Sequence, residues 1–282
     1  MAELWFTETE TPSVQMRFRV REVLYQKRSR YQEIMVMELE QLGRALALDG
    51  AIQVTDQDSF VYHEMLAHVP LCAHPHPSRV LIVGGGDLGL LAEVLKHPEV
   101  ARVQLVEIDP EVLEVCQRFW PHARQAVRDP RVELVVEDGA VFVRAVREAF
   151  DVILVDAPDP GGVAMPLFTE EFYRDLRQAL RPGGMVAAQS GGVWFQREVT
   201  ARLVQHARAA FPRAEVYVAS VPSYSIGPWS FVVASTGPDP QVPDGRRAGR
   251  LATRYYTEEV HRAAFALPAF LRQELVRAAA GA

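Results

Sequence analysis

Cysteine is nearly absent: Cys72 and Cys116 are the two in a chain of 282 residues, too few and too far apart for a disulfide framework or the paired ligands of a zinc site. Both are expected to be buried thiols. Basic excess is also missing. A net charge of -6, a pI near 5.8 and no Lys/Arg run to track a phosphate backbone argue against nucleic acid as a partner, and the pair Arg246 and Arg247 reads as a solvated loop. No apolar run approaches the roughly 20 residues that span a bilayer. The segment MAELWFTETETP lacks the basic-then-apolar shape of a signal peptide, so a cytoplasmic protein with no membrane partner is expected. His68, His74, His76 and His97 show no ligand spacing and are expected at the surface or at helix ends. No metal is expected.

What is present is a 49% hydrophobic chain long enough for one large α/β domain and a small appendage. VREVLY, YQEIMVMEL and RALALDGAIQV read as strands of an antiparallel N-terminal β-domain, residues 1–57. Asp49 and Gly50 supply a hairpin turn, because both tolerate the positive φ of a type I′ turn. Asp56 or Asp58 is placed to cap a helix through SFVYHEMLAHVPL. Strands and helices then alternate at βαβ spacing, which predicts a mostly parallel, Rossmann-like sheet within residues 58–282. The last strands, AEVYVASV and SFVVAS, are separated by PSYSIGPW, too short for a crossover, and are expected to form a terminal antiparallel hairpin. Such a sheet is of the type found in S-adenosylmethionine-dependent transferases, an analogy at the level of fold.

Four predicted strand ends finish in carboxylates: Asp87, Glu107 with Asp109, Glu137 with Asp138, and Asp156 with Asp159. Ligands of open α/β sheets bind outside those ends, so the acids should face a ligand. Asp87 follows Gly84, Gly85 and Gly86, where a phosphate-binding loop would offer N–H groups, and it would repel pyrophosphate. A positively charged nucleoside such as a sulfonium fits better. Glu107, about 20 residues beyond the glycines, has the spacing of a ribose ligand. Asp138 and Gly139 read either as a nucleoside contact or as a turn with a helix cap. After VILVDAPDPGG the prolines and glycines block a helix, so Asp156 and Asp159 should share a loop and one cavity.

The strings GGGD, VEID, DG and D-x-x-D-P, with SRYQEI, LALDGAIQVTDQDSFVYHEMLAHVPL, LFTEEFY, VPSYSIGPWSF and RYYTEEVHRAAFALP in order, resemble the spermidine synthase family of aminopropyltransferases over nearly the whole chain. The resemblance implies transfer of an aminopropyl group from decarboxylated S-adenosylmethionine, a co-substrate rather than a cofactor, to an amine, usually putrescine. The products are then spermidine and 5′-methylthioadenosine. It also implies a homodimer or homotetramer and small cationic molecules as partners. Position by position, it gives Gln32 and Glu107 to the ribose, Asp138 and Gly139 to the adenine side, Asp87 to the aminopropyl ammonium, and Asp156 to proton acceptance. Trp5, Gln53, Tyr62, His63, Asp159 and Tyr224 would line the amine channel. Departures from the family pattern are Leu88, placed to narrow the donor side, Ala157 and Pro158 between the acids, Val163 beside the adenine, and Gly191 where a glutamate is frequent. That last change opens the acceptor to agmatine, cadaverine or a longer polyamine. A methyltransferase and a noncatalytic binding protein are the remaining alternatives.

Overall fold

Period-two alternation through the N-terminal segments becomes a five-stranded antiparallel sheet in the computed structural model, which describes residues 3–224 and 226–280. Its strands, β1 (Leu4–Thr11), β2 (Val14–Arg28), β3 (Glu33–Leu39), β4 (Gly43–Leu48) and β5 (Ala51–Thr55), lie in chain order. Asp49 and Gly50, with φ of 47° and 84°, form the expected turn between β4 and β5. Sequence reading began this sheet at VREVLY and overlooked β1, whose Thr-Glu-Thr-Glu repeat is itself a period-two signal.

From α1 (Ser59–Ala73) onward the chain alternates: β6 (Arg79–Gly84), α2 (Gly89–Val94), β7 (Arg102–Glu107), α3 (Pro110–Phe119), α4 (Pro121–Ala126), β8 (Val132–Val136), α5 (Gly139–Ala145), β9 (Phe150–Asp156), α6 (Glu170–Ala179), β10 (Leu180–Gly192), α7 (Arg197–Ala210), β11 (Arg213–Ala219) and β12 (Trp229–Ser235). These strands form a seven-stranded sheet in the order β11-β12-β10-β9-β6-β7-β8. β12 runs antiparallel to both β11 and β10, as the short PSYSIGPW connection requires. Along β6, Val80 and Ile82 enter one hydrophobic core and Leu81 and Val83 the other. Helices on both faces explain why the strands are continuously apolar. Three further helices, α8 (Gly245–Ala248), α9 (Glu258–Ala264) and α10 (Ala269–Ala280), complete the chain. No helix among the described residues is long and apolar enough to cross a membrane.

Three expectations require correction. His68 and His97 are fully buried, with His68 Nδ1 and His97 Nε2 2.9 Å apart and His68 Nε2 3.1 Å from Glu93. Arg247 is buried too: its guanidinium donates to the carbonyls of Leu71, His74 and Pro75, groups that the end of α1 leaves without partners. A 3-10 turn, Gly162–Phe168, forms beyond the Asp156–Asp159 loop where no helical structure was expected.

Candidate active site

From β6 the chain builds β7 and β8 to one side, then places β9 on the other side of β6, so the order reverses at the carboxyl ends of β6 and β9. Gly84 and Asp156, the last residues of these strands, are partners in the parallel register. Gly84 has φ of 80°, and a Cβ there would stand 2.1 Å from the Asp156 carbonyl oxygen, so only glycine allows the strands to meet. The Gly85 N–H donates to the same carbonyl at 2.8 Å. This contact fixes Asp156 at the floor of the crevice.

Asp156 accepts a hydrogen bond from the Tyr62 hydroxyl on Oδ1 at 2.8 Å, while its buried Oδ2 has no partner. Burial and the nearby charge of Asp87 push its carboxyl up to about 7, against the opposing influence of His63 and Tyr62. Asp87 moves the other way. Burial raises it, but His63 and the Gly89 N–H outweigh that effect and hold it below the usual carboxylate range. Its Oδ1 accepts the Gly89 N–H at 2.6 Å and lies 3.2 Å from His63 Nε2, in an ion-pair contact that is not aligned as a hydrogen bond. Burial lowers His63, yet the two aspartates carry it up to about 9. The ligand atoms of His63, Asp87 and Asp156 all lie within 4.8 Å of one another, close enough to hold a metal ion or an organic ammonium.

Asp87 and Asp156 line two adjoining cavities, of about 420 and 60 Å³, that share Gln32, Gln53, Ala157, Pro158 and Val163. The smaller, beside Gly85 and Gly86, is closed by Glu107, Ile108 and Val112. Burial pushes Glu107 up to about 7; backbone N–H groups oppose the shift, and the charges of Asp109 and Asp156 add to it. Glu107 accepts the Asp109 N–H at 2.9 Å, and Asp109 in turn accepts the Gln32 amide at 3.1 Å. The larger cavity is lined by Tyr224, Asp159, Glu8 and Glu10. Glu8 accepts the Ile52 N–H at 3.1 Å and is pushed up to about 7 by burial and by the charges of Glu10 and Asp159. Burial and Asp159 likewise raise Glu10, whose Oε1 is buried without a partner. Four or more carboxylates around one void repel each other unless protons neutralise some of them or cations fill it.

A model described as the spermine/spermidine synthase domain matches residues 59–243, and one described as the spermidine synthase tetramerisation domain matches residues 4–56. The chain belongs to the spermidine synthase family. The polyamine aminopropyltransferase of Moorella thermoacetica is 42% identical over 275 residues, covering 98% of this chain and 97% of that protein. Its Bacillus subtilis counterpart is 39% identical over 271 residues, 96% of this chain and 98% of that one. Spermidine synthase from Thermotoga maritima aligns with a TM-score of 0.91 at 38% identity, over 97% of this chain and 94% of that one. A spermidine synthase in complex with the transition state analogue AdoDATO aligns at 0.94 and 39% identity, over 97% and 95%.

Not every spermidine synthase-like position reaches the cavities. Gln32, Gly85, Gly86, Asp87, Glu107, Gln53, Tyr62, Asp156, Asp159 and Tyr224 line them; Gly84 and His63 do not, but Gly84 pairs with Asp156 and His63 contacts Asp87. Asp138 caps α5, accepting the N–H groups of Ala140 and Val141, and Gly139 opens that helix; neither lines a cavity. Trp5 is 39% exposed, donates to Glu3 at 3.3 Å and lies under the Arg17 guanidinium. It occupies the opposite face of β1 from Glu8, because strand side chains alternate. Leu88 is buried in the core with φ of 67° and does not line the donor side.

Sequence reasoning missed Glu8, Glu10 and Gln196. At Gly191, with φ of 88°, a Cβ would fall 2.3 Å from Gln196 Oε1. That oxygen accepts the Gly192 N–H at 2.9 Å, and the Gln196 amide donates to Asp159 at 2.6 Å. Protein surrounds Asp159 on most sides and raises its carboxyl, although the residue stays open to solvent through the cavity mouth, which weakens the push. Gln196 is thus a neutral group that fills the space beside Gly191. Its distance from the strand-end motifs, 37 residues from Asp159, gave no local signal.

Proposed function

We propose that this aminopropyltransferase moves the aminopropyl group of decarboxylated S-adenosylmethionine to an amine, putrescine being the simplest, with Asp156 as the general base. The observation that carries the reading is Asp156 itself, at the junction of the two cavities with one oxygen held by Tyr62 and the other unpartnered. A primary ammonium near pH 7 is protonated and not nucleophilic. Its proton passes to Asp156, nitrogen bonds to the carbon next to sulfur, and the C–S bond breaks to leave neutral methylthioadenosine. The sulfonium needs no general acid.

In this reading the nucleoside lies across the two adjoining cavities and only its ribose edge enters the smaller one, with Glu107 and Gln32 on the ribose and Asp87 on the aminopropyl ammonium. Gln53, Tyr62, Asp159 and Tyr224 border the acceptor. Asp138 and Gly139 stay at the adenine side only through main-chain or second-oxygen contacts, since Asp138 Oδ1 is occupied by its cap. Two cationic reactants repel; at about 4 Å and an effective dielectric near 20 each charge pair is worth roughly 4 kcal/mol, which the surrounding carboxylates offset. Positioning supplies more of the rate than the base does, with effective molarities of about 10⁵ to 10⁸ M against roughly 10²- to 10⁴-fold.

Gly191, standing where the family resemblance suggests a glutamate, together with Glu8 and Glu10 on the wall of the larger cavity, supports an acceptor preference shifted from putrescine toward a longer or more highly charged amine. Incubation with decarboxylated donor and putrescine, cadaverine, agmatine or spermidine, with products identified by mass, tests both levels. Release of methylthioadenosine is expected with at least one amine. A preference of about 100-fold or more for putrescine would remove the altered specificity while leaving the reaction intact. The tetramerisation-domain match over residues 4–56 supports a homo-oligomer; light scattering should give the mass of two or four chains, and a monomer mass would overturn that assignment.

A further inference from the structure

Asp58 occupies the N-cap position of α1, with φ of -132° and ψ of -8°, yet its side chain makes no capping hydrogen bond to the helix. An aspartate there ordinarily satisfies the first-turn N–H groups. Its carboxylate instead turns toward the segment between β11 and β12. Oδ2 accepts the Ser223 N–H at 2.7 Å, and Oδ1 accepts the Ser223 hydroxyl at 3.0 Å and the Thr55 hydroxyl at 2.6 Å. All three residues are buried, Asp58 at 5%, Thr55 at 1% and Ser223 at 0% exposure.

One carboxylate therefore joins the end of β5, the start of α1 and the loop that carries Tyr224. Each brings a residue to the amine side of the site. Tyr62 follows Asp58 by one helical turn on the same face. Tyr224 follows Ser223 directly, and its hydroxyl donates to the Gln53 carbonyl on β5. The rings of Tyr62 and Tyr224 meet edge to face at 5.3 Å, and Tyr62 donates to Asp156. Three donors converge on two oxygens; asparagine could keep the Ser223 N–H on its carbonyl only by turning its amide toward the two hydroxyls, which would then have to accept, and the charge would be lost.

We propose that Asp58 is a positioning residue of the acceptor side, clamping the Ser223–Tyr224 loop onto Tyr62 so that the Tyr62 hydroxyl stays on Asp156. This rests on the aminopropyl-transfer reading. Asp156 is also faced by Asp87 from the loop after β6, by His63 from α1 and by Glu107 from β7. Asp58 leaves those in place, so its influence should reach Asp156 through Tyr62 alone.

The test compares Asp58→Asn, the milder Ser223→Ala, Tyr62→Phe and the Asp58→Asn/Tyr62→Phe double variant. In Asp58→Asn the acceptor KM should rise about 10-fold while the donor KM stays within about twofold. The acid limb of kcat/KM for the acceptor should move to higher pH, because a hydrogen bond favouring the ionised Asp156 has weakened. In the Tyr62→Phe background the same change should add almost nothing. Ser223→Ala should shift acceptor KM in the same direction with little change in Tm. Amide exchange of the peptide carrying Ser223 and Tyr224 should quicken in Asp58→Asn, relative to peptides from β6 and β9.

Equal losses on donor and acceptor, an unmoved acid limb, or full additivity with Tyr62→Phe would overturn the proposal. If Asp58→Asn does not fold, an acceptor KM unchanged in Ser223→Ala overturns it. If the wild-type protein releases no methylthioadenosine with any amine, the transfer reading falls; the exchange comparison still decides the clamp, and unchanged exchange rejects it.

Discussion

The two lobes of the cavity are assembled differently. The lobe around Gly86 and Glu107 is made from the ends of adjacent parallel strands, with Gln32, Leu46, Leu48 and Gln53 reaching in from the N-terminal sheet. The lobe around Asp159 takes Glu8 and Glu10 from β1, Gln53 from β5, Tyr62 from α1 and Tyr224 from the loop before β12. In the proposed reading the polar contacts to the nucleoside come mainly from one sheet edge, with apolar cover from β4. A flexible amine is read by parts that can change independently, which teaches where specificity can drift without disturbing the chemistry.

The largest test of that division sits between the lobes. Asp156→Asn should lower kcat by at least about 100-fold with donor affinity nearly unchanged, measured by methylthioadenosine release and by donor titration. Turnover close to normal would remove Asp156 as the base. Next, Glu107→Gln should raise donor KM by roughly 10-fold, the worth of a charge-assisted hydrogen bond, and leave acceptor KM almost alone. Comparable changes in both would erase the distinction between lobes. Glu8→Gln and Glu10→Gln should each raise acceptor KM only a few-fold, since these groups are partly solvated, with the larger effect on the more highly charged amine. An effect confined to the donor would reverse the assignment.

The smallest expected effect concerns pH and stability. Asp156, Glu107 and Glu8 are each raised to about 7, and His63 to about 9. Between their ordinary values and these, the folded protein binds more protons than the unfolded chain, so stability is present at low pH and is lost as pH rises. For Glu107 and Glu8 that window runs from about 4.5 to 7, for Asp156 from about 3.8 to 7, and for His63 from about 6.5 to 9. Asp87, held low, acts in the opposite sense only below the ordinary aspartate range. The Tm of the ligand-free protein should therefore fall by a few degrees from pH 5 to pH 8, and a bound cationic donor should recover it, as scanning calorimetry would show. A ligand-free Tm that rises over this range would mean the acids are better solvated than the cavities imply.

Much of the strand-end lobe was legible because position in a parallel sheet follows from hydrophobic runs and their spacing. Asp87, Glu107 and Asp156 needed only the rule that ligands meet carboxyl ends. Asp138 shows its limit, since the same strand-end Asp-Gly serves as a cap on α5. The amine lobe was harder. Trp5 and Glu8 are three positions apart, and strand parity alone sends one to the surface and the other to the cavity; with β1 unread, that parity could not be applied. Burial of His68, His97 and Arg247 depends on helix ends and neighbours brought from distant segments, so residue type suggested the opposite.

The left-handed backbone at Gly191 and the glutamine lodged against it restrict how acceptor choice can evolve. A carboxylate at that position would strain the main chain and push the Gln196 side chain aside, so the two positions are coupled. Moving Gln196 would also free Asp159, so one substitution there would change two polar groups at the larger cavity at once.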